Sequence, residues 1–362
     1  MNISTRHAVI IIGAGQAGLA MGWHLQRQGV DFLIVEAGER PGGNWRHYYD
    51  SLRLFSPAAY SSLPGMAFAA DPAHYPRRDE VVRYLEDYAA HFQLPIRYNS
   101  PIQRVSREGT GFRLHAADGQ IYHCEALVVA SGAFSQPHIP TIAGLDGFTG
   151  RLLHSSAYRN PEVFAGQRVV VVGAANSAVQ IAHELAAVAE VTLATREKVR
   201  FFPQRPLGID FHAWLHWSGL ARTRWLSDQS TPVLDDGTYK RALQAGRYRQ
   251  RAMFQRTEDN TLIWADNSRE AVDTLIFATG FRPNLPFLAG LPITDARGQV
   301  LQRNGRAQQV PGLFFVGLPK QRNFASATLR GVGPDAAHLL PTLLQHLQAP
   351  RALAVPGLQA LR

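Results

Sequence analysis

The sequence contains one cysteine, Cys124, in 362 residues. A single thiol can form neither an intramolecular disulfide nor a redox-active cysteine pair, which excludes disulfide relay chemistry within the chain. This composition is typical of a protein kept in a reducing compartment, so we expect a cytoplasmic location.

The sequence also has no dense run of lysine and arginine, although its formal net charge is +9. A nucleic-acid partner would favour such a run, and we therefore do not expect one. The excess of positive charge is mostly arginine, and it suits a protein that holds polyanionic dinucleotides equally well.

Long apolar runs are missing as well. The apolar run before Gly13 is short and is broken by glycines, and residues 350–362 are unsuited to a bilayer. A membrane span needs about 20 apolar residues, so neither a signal peptide nor a membrane partner is expected. With 46% hydrophobic and 18% charged residues, the chain should fold into two closely joined globular domains.

The first chemical signal is a glycine pattern, GAGQAG at 13–18, between a β-branched run and an amphipathic stretch. This order predicts a strand, a tight turn and a helix. Gly13 would permit the turn, Gly15 would let backbone amides approach a pyrophosphate, and Gly18 would let helix and strand pack closely. Glu36 ends the next apolar run, about 20 residues further on, where an acid accepts ribose hydroxyls and disfavours a 2′-phosphate. This unit should therefore bind FAD or NAD rather than NADP.

The pattern recurs as GAANSA at 173–178, again between a β-branched run and a helical stretch. Arg196 is as far from this turn as Glu36 is from the first one, so the charge at that position is reversed. Arginine can clamp a 2′-phosphate, which predicts a nicotinamide site that accepts NADPH. Ala175 replaces the middle glycine and narrows the approach of a pyrophosphate, and Glu197 would repel a phosphate. Acceptance of NADH therefore stays open.

Two further patterns indicate how the units are joined. Segments 112–116 and 120–124 predict a hairpin. The buried strands 126–132 and 273–280 each follow their own glycine turn and each end in small residues. The second unit is therefore predicted to be inserted into the first.

The expected fold class is α/β, with two nested Rossmann-like dinucleotide-binding domains, each a three-layer parallel sheet. Residues 1–154 and 272–362 should form the outer domain, and residues 155–271 the inserted one. A final helix is predicted over 325–340, with its N-terminus positioned to face a flavin.

The linker between the units reads FTGRLLHSSAY at 148–158. It resembles the FxGxxxHxxx(Y/F) fingerprint of the flavin-containing monooxygenases, and Tyr158 stands where the related Baeyer–Villiger enzymes usually have tryptophan. Further segments are similar to the short bacterial members, including the arsenic-operon type: PGGNWR at 41–46, SLRLFSP at 51–57 and ASATL at 325–329.

The resemblance implies FAD on the outer domain and NADPH on the inserted domain. The candidate FAD-binding residues are Gly13, Gly15, Gln16, Ala17, Gly18, Glu36, Ala37, Gly43, Asn44, Trp45, Leu54, Phe55, Ser56, Arg104, Val105, Ala130, Ser131, Gly132, Gly317, Phe324 and Ala325. The candidate NAD(P)-binding residues are Gly173, Ala175, Asn176, Ser177, Arg196, Thr279 and Gly280. His154 of the fingerprint is expected to be a conformational or domain-linking residue rather than a proton donor.

The resemblance also implies the chemistry. NAD(P)H would reduce FAD, and a C4a-hydroperoxyflavin formed with O2 would pass one oxygen to a soft nucleophile, such as a sulfide or an amine. Asn176 is expected near the junction of flavin and nicotinamide. Many members have asparagine where this chain has Phe55, which excludes water but offers no hydrogen bond, so poor coupling and release of hydrogen peroxide are expected.

Alternative functions remain open at this point: a Baeyer–Villiger ketone monooxygenase, and a flavoprotein NAD(P)H oxidase or redox sensor. The expected partners are a small-molecule substrate and O2, and a homodimer is left open. His212 and His216 have helical spacing but no third ligand at a familiar separation, so no metal site is predicted. Trp214, Trp217 and Trp225 could belong to a substrate pocket, a subunit contact or the core.

Overall fold

The computed structural model describes residues 4–223 and 232–349. Within them the strands are β1 Ser4–Ile12, β2 Phe32–Val35, β3 Ile96–Arg97, β4 Ile102–Glu108, β5 Gly111–Ala116, β6 Ile121–Val129, β7 Gln136–Pro137, β8 Arg151–His154, β9 Arg168–Val172, β10 Glu190–Thr195, β11 Phe201–Pro203, β12 Val233–Asp235, β13 Arg249–Ala252, β14 Arg256–Glu258, β15 Thr261–Ile263, β16 Arg269–Ala271, β17 Thr274–Phe277, β18 Phe281–Arg282, β19 Gln302–Arg303, β20 Arg306–Ala307 and β21 Leu313–Phe315. The α-helices are α1 Gln16–Arg27, α2 Arg78–His91, α3 Asn176–Leu185, α4 Phe211–Trp217, α5 Thr238–Gln244 and α6 Leu329–Gln348.

The first sheet is built around β1, which is paired in parallel with β2 on one side and β6 on the other. Its main order is β19-β20-β21-β6-β1-β2-β3, and β5 joins β4 to β6 in antiparallel fashion. Alternate side chains of a strand point to opposite faces. Val9 and Ile11 accordingly pack in a core with α1, α2 and α6, whereas Ile10 and Ile12 pack against the β4–β5 hairpin. Burial on both faces explains the continuous apolar run at residues 8–12 of β1.

The second sheet is entirely parallel, in the order β13-β10-β9-β17-β8. Helix α3 covers one face, where Val169 and Val171 are buried, and Trp264 beside the small sheet β14-β15-β16 covers the other. The chain enters this sheet after β6 and returns to the first sheet at β19. The predicted fold class, an α/β protein with one Rossmann-like domain inserted into another, is confirmed.

The predicted boundaries of the inserted domain need to be moved outward on both sides. Strands β8 and β17 belong to the second sheet, although they lie outside the predicted range 155–271. Strand β17 pairs with both β9 and β8, so it lies inside this sheet rather than at the start of the outer domain. The short run Leu152–Leu153 beside a histidine gave no sign in the sequence of being a strand.

Other elements differ in length from their predictions. The hairpin is confirmed, but its second strand continues without a break as β6 through Val129. Helix α6 begins at Leu329 rather than residue 325, because Ala327 has a left-handed backbone (φ 67°) and the Ser326 hydroxyl accepts from the Arg322 and Asn323 amides in a tight turn. The helix then continues past Pro341 to Gln348, anchored by buried Leu339 and Leu343.

No helix within residues 4–223 and 232–349 is both long and apolar enough to cross a lipid bilayer.

Candidate functional site

The two glycine turns each begin with a glycine of positive φ. Gly13 follows β1 with φ 104°, and Gly173 follows β9 with φ 143°, both in the left-handed region that favours glycine. A Cβ atom would lie 2.9 Å from the Ala130 carbonyl oxygen at Gly13 and 2.5 Å from the Ala278 carbonyl oxygen at Gly173. Each glycine therefore lets a turn press against the end of the neighbouring central strand, β6 or β17.

Each turn leads directly into a helix N-terminus. Gly15 is the N-cap of α1 and Ala175 is the N-cap of α3, both with extended backbones. The first amides of a helix have no partner within the helix and carry a partial positive charge, which suits phosphate. A Cβ at Gly15 would meet only the Gly43 Cα, at 3.9 Å, so this position has open space in front of it.

Both turns open onto one cavity of about 1130 Å³. This volume exceeds the range of about 300–1,000 Å³ usual for pockets that hold one small ligand. The strand ends 130–132 and 278–280 also line it, as do Glu36 from the first domain and Arg196 from the second. The insertion of one Rossmann-like unit into the other therefore brings two dinucleotide-type turns to a single space.

Most candidate residues line this cavity. From the FAD set these are Gly13, Gly15, Gln16, Ala17, Glu36, Ala37, Gly43, Asn44, Trp45, Leu54, Phe55, Ser56, Ala130, Ser131, Gly132 and Gly317. All seven of the NAD(P) set line it: Gly173, Ala175, Asn176, Ser177, Arg196, Thr279 and Gly280.

Five candidates do not line the cavity. Gly18 faces the turn instead, where a Cβ would lie 1.8 Å from the Gly13 carbonyl oxygen, so its role is close packing. Val105 is buried in the core, and exposed Arg104 lies 3.4 Å from the ring of His115. A register shift in β4 after Ile102 turns this segment, and it is residues 100–102 that reach the cavity.

The other two are Phe324 and Ala325, which the late start of α6 displaces. Residues 327–330 line the cavity in their place. The carbonyl oxygen of Ala327 accepts from the Gln16 side chain at 2.7 Å, and Gln16 in turn accepts from the Trp45 indole at 3.2 Å. This chain of contacts holds the start of α6 beside the start of α1.

Glu36 is held in place by the turn that it faces. Its carboxylate accepts from the Ala14 amide at 2.6 Å and from the Gly38 amide at 2.8 Å, and the side chain is buried. These two bonds fix a negative charge at the end of β2, where it opposes a phosphate and can accept hydroxyl groups.

Arg196 has a different environment. It is exposed at the end of β10, and Glu197, Lys198 and Arg200 line the same part of the cavity. The basic side chains outnumber the single acid there. Arg247 and Arg249 are outside the cavity lining, and Arg249 pairs with Glu190 at 2.6 Å.

The fingerprint residues bond β8 and the segment after it to the rest of the inserted domain. His154 is buried at the end of β8, and its Nδ1 accepts the Ser156 amide at 3.1 Å. The proton is therefore on Nε2, which donates to the Gly280 carbonyl oxygen at 2.9 Å. Burial lowers the pKa of His154. Tyr158 is fully buried and donates to Glu184 of α3 at 2.8 Å.

One corner of the cavity combines aromatic rings with a cation. Phe55 lines it and stacks on the ring of His212, with 6.0 Å between centroids. The His212 ring and amide both donate to Asp210, at 3.0 Å and 2.7 Å, and Asp210 also accepts from the Tyr75 hydroxyl. Arg330, in the first turn of α6, lines the same cavity.

The histidine pair of α4 serves packing. His212 and His216 both contact the Tyr60 ring, at centroid distances of 6.4 Å and 5.7 Å. Within the described ranges no group of three or more His, Cys, Asp or Glu side chains is arranged to hold a metal ion. Trp214 and Trp217 are partly exposed and do not line the cavity. Trp225 lies outside the described residues.

The cavity fits two dinucleotides by its own features: the open space before Gly15, two helix N-termini and opposite charges beyond the two turns. Together with the inserted double Rossmann fold, this defines a class of two-nucleotide flavoprotein oxidoreductases. The family model described as pyridine nucleotide-disulphide oxidoreductase matches residues 10–317. The chain belongs to this family and, within it, to the flavin-containing monooxygenases.

Three relatives illustrate the likeness. A flavin-containing monooxygenase structure from Stenotrophomonas maltophilia superposes with a TM-score of 0.84 at 34% identity, covering 96% of this chain and 99% of that one. An oxidoreductase described as CzcO-like, from Geobacillus kaustophilus, is 38% identical over 93% of this chain and 98% of its own length. An indole-3-pyruvate monooxygenase from Oryza sativa is 28% identical over 93% of this chain and 87% of its own.

The disulphide chemistry in the family's description does not extend to this chain. Its one cysteine, Cys124, lies in β6 within the core rather than at the cavity. Burial raises the pKa of this thiol to about 12, which leaves it protonated and unreactive at neutral pH. The enzyme is therefore an oxidoreductase of the monooxygenase type, with FAD and NAD(P)H as its general cofactors.

Proposed function

We propose that the enzyme oxygenates soft nucleophiles, converting a sulfide to a sulfoxide. One sulfide, one O2, one NAD(P)H and one proton would give one sulfoxide, one NAD(P)⁺ and one water. The observation that supports this best is the single cavity onto which both glycine turns open, since it lets a hydride donor and an acceptor meet. Amines are further candidate substrates of the same kind.

The assignment of the two cofactors follows from charge. FAD would occupy the first turn, where fixed Glu36 accepts ribose hydroxyls and opposes a 2′-phosphate. The nicotinamide cofactor would occupy the second turn, with its 2′-phosphate near Arg196 and Lys198. We propose a preference for NADPH. The carboxylate of Glu197 would repel the 2′-phosphate and so weaken this preference, but it would not oppose NADH, which has no such phosphate, so NADH should also be accepted.

The protein's part is to bind, orient and exclude water. A bound flavin, once reduced, supplies the activation of O2. Asn176, the first residue of α3, is proposed to lie where the two cofactors meet, and Phe55 to cover the reacting face with an apolar ring. Because Phe55 donates no hydrogen bond, we propose that part of the reducing power is released as hydrogen peroxide.

The test is to give FAD-loaded protein NADPH, O2 and methyl phenyl sulfide, and to quantify the sulfoxide by chromatography. Formation of sulfoxide in step with NADPH oxidation supports the proposal. Cyclohexanone in a parallel reaction identifies the ketone alternative, because only a Baeyer–Villiger enzyme would convert it to a lactone. Peroxide as the sole product with both substrates would identify an NAD(P)H oxidase instead.

A further inference from the structure

Arg330 has a donor group with nothing to bind. It is the second residue of α6, mostly buried, and its Nη2 atom has no hydrogen-bond partner among residues 4–223 and 232–349. A buried donor that is left unsatisfied costs about 1–3 kcal/mol, and more when it is charged. Arg330 also lines the cavity, so an anion bound against its guanidinium would offset part of the cost of desolvating this charge.

The guanidinium stays charged in this position. Burial lowers its pKa only to about 10, partly opposed by Asp210, so Arg330 remains a cation at neutral pH. A cation in the first turn of a helix is also disfavoured by the helix dipole. Both the desolvation and the dipole are relieved when an anion binds.

The nearby carboxylate of Asp210 does not remove the unfavourable desolvation and dipole energies of Arg330. Asp210 is the carboxylate that acts electrostatically on Arg330, but its oxygens already accept from the Tyr75 hydroxyl and from the amide and ring of His212. The Phe55 ring, stacked on His212, lines the cavity nearby, whereas the Phe324 ring lies outside the cavity lining, 5.9 Å from the Arg330 guanidinium. This leaves a desolvated positive charge that faces the cavity beside an apolar wall.

We propose that Arg330 holds a carboxylate of the substrate, so that the enzyme binds anionic organosulfur compounds more tightly than neutral ones. The inference rests on the proposed function, whose reacting centre would lie over Phe55. A carboxylate matches the planar fork of a guanidinium with two parallel hydrogen bonds. The amides of the first turn of α6 are separate donors, and they can serve the negative charge of a reduced flavin without the guanidinium.

Binding is the direct test, because it does not depend on oxygenation. Phenoxyacetate is an anionic ether that does not undergo sulfoxidation, and phenoxyacetamide is its neutral counterpart. In calorimetric titrations of FAD-loaded protein, Arg330→Met should lower the affinity for phenoxyacetate at least tenfold. Its affinity for phenoxyacetamide should stay within about twofold of wild type. Arg330→Lys keeps the charge but loses the planar, two-pronged donor group of arginine. Its affinity for phenoxyacetate should therefore lie between those of wild type and Arg330→Met.

Two controls keep the result interpretable. Arg249→Met removes an exposed arginine that pairs with Glu190 outside the cavity, and it should leave both affinities unchanged. FAD content and melting temperature show whether each variant is folded. Should Arg330→Met be folded and bind both probes like wild type, or shift only the flavin's reduction potential, the inference is wrong. If the wild-type protein binds phenoxyacetate but forms no sulfoxide from any sulfide tested, anionic or neutral, the result counts against the proposed function alone.

Discussion

The Nε2 atom of His154 donates to the carbonyl oxygen of Gly280 at 2.9 Å, which joins the fingerprint segment to the turn after β17. Gly280 lines the cavity and has a left-handed backbone (φ 83°). The ring of Phe281 packs edge-on against the imidazole at 4.8 Å. The histidine therefore shapes a cavity wall without itself lining the cavity.

Replacing this histidine should destabilise the fold. His154→Leu leaves the Gly280 oxygen and the Ser156 amide without their partner, at a cost of about 1–3 kcal/mol. Urea unfolding at pH 7.5 measures the difference. His91→Leu, at the exposed end of α2, is the matched control and should stay within about 0.5 kcal/mol of wild type.

The stability difference between wild type and His154→Leu should become smaller at low pH. Burial lowers the pKa of folded His154, whereas the unfolded imidazole titrates near about 6.5. The unfolded state then binds more protons between the two values, so this stabilisation is complete above about pH 6.5 and is lost as the pH falls. The gap between wild type and His154→Leu should therefore shrink at pH 5.5. A gap that grows on acidification would contradict this protonation scheme.

Arg196 should determine the choice between NADPH and NADH. Arg196→Ala removes the proposed partner of the 2′-phosphate, and because the side chain is exposed we expect the lower end of a charged hydrogen bond, about 1.5 kcal/mol or a tenfold rise in KM for NADPH. KM for NADH should change less than twofold. Flavin reduction monitored with each cofactor measures both values, and an equal effect on the two would exclude the phosphate contact.

The patterns that predicted the fold are local in the sequence. The strand β1, the turn at Gly13 and the acid at Glu36 lie within one βαβ unit, so spacing alone was sufficient to find them. The corner formed by Arg330, Asp210 and Tyr75 could not be found this way, because its members come from three segments far apart in the chain. The start of α6 was also missed, since nothing in the sequence marks Ala327 as left-handed.

Phe55 should limit how much oxygen reaches the substrate. Phe55→Asn places an amide in the corner where the wild-type ring stacks on His212 without donating a hydrogen bond. We expect the ratio of hydrogen peroxide to sulfoxide to fall several-fold in the variant. Phe55→Leu keeps the position apolar and should resemble wild type. A wild-type ratio already near zero would show that the phenylalanine does not cause uncoupling.

The two N-cap positions, Gly15 and Ala175, offer a reciprocal exchange. Both have extended backbones, so alanine and glycine are each compatible with the conformation, and a Cβ at Gly15 meets no atom closer than 3.9 Å. Gly15→Ala should therefore leave the apoprotein's stability within about 0.5 kcal/mol of wild type. The added methyl group projects into the open space before α1, where it would hold a pyrophosphate away from the helix amides. Affinity for FAD should fall at least tenfold.

Ala175→Gly makes the opposite change at the second turn. It removes the methyl group that narrows the approach to α3, so NADPH and NADH should both bind more tightly, by a similar factor, with FAD affinity unchanged. Flavin fluorescence quenching measures the first affinity, and titration of oxidised protein with NADP⁺ and NAD⁺ measures the second. Since each substitution is directed at one turn, an effect of Gly15→Ala on the nicotinamide cofactor alone would reverse the assignment of the two cofactors.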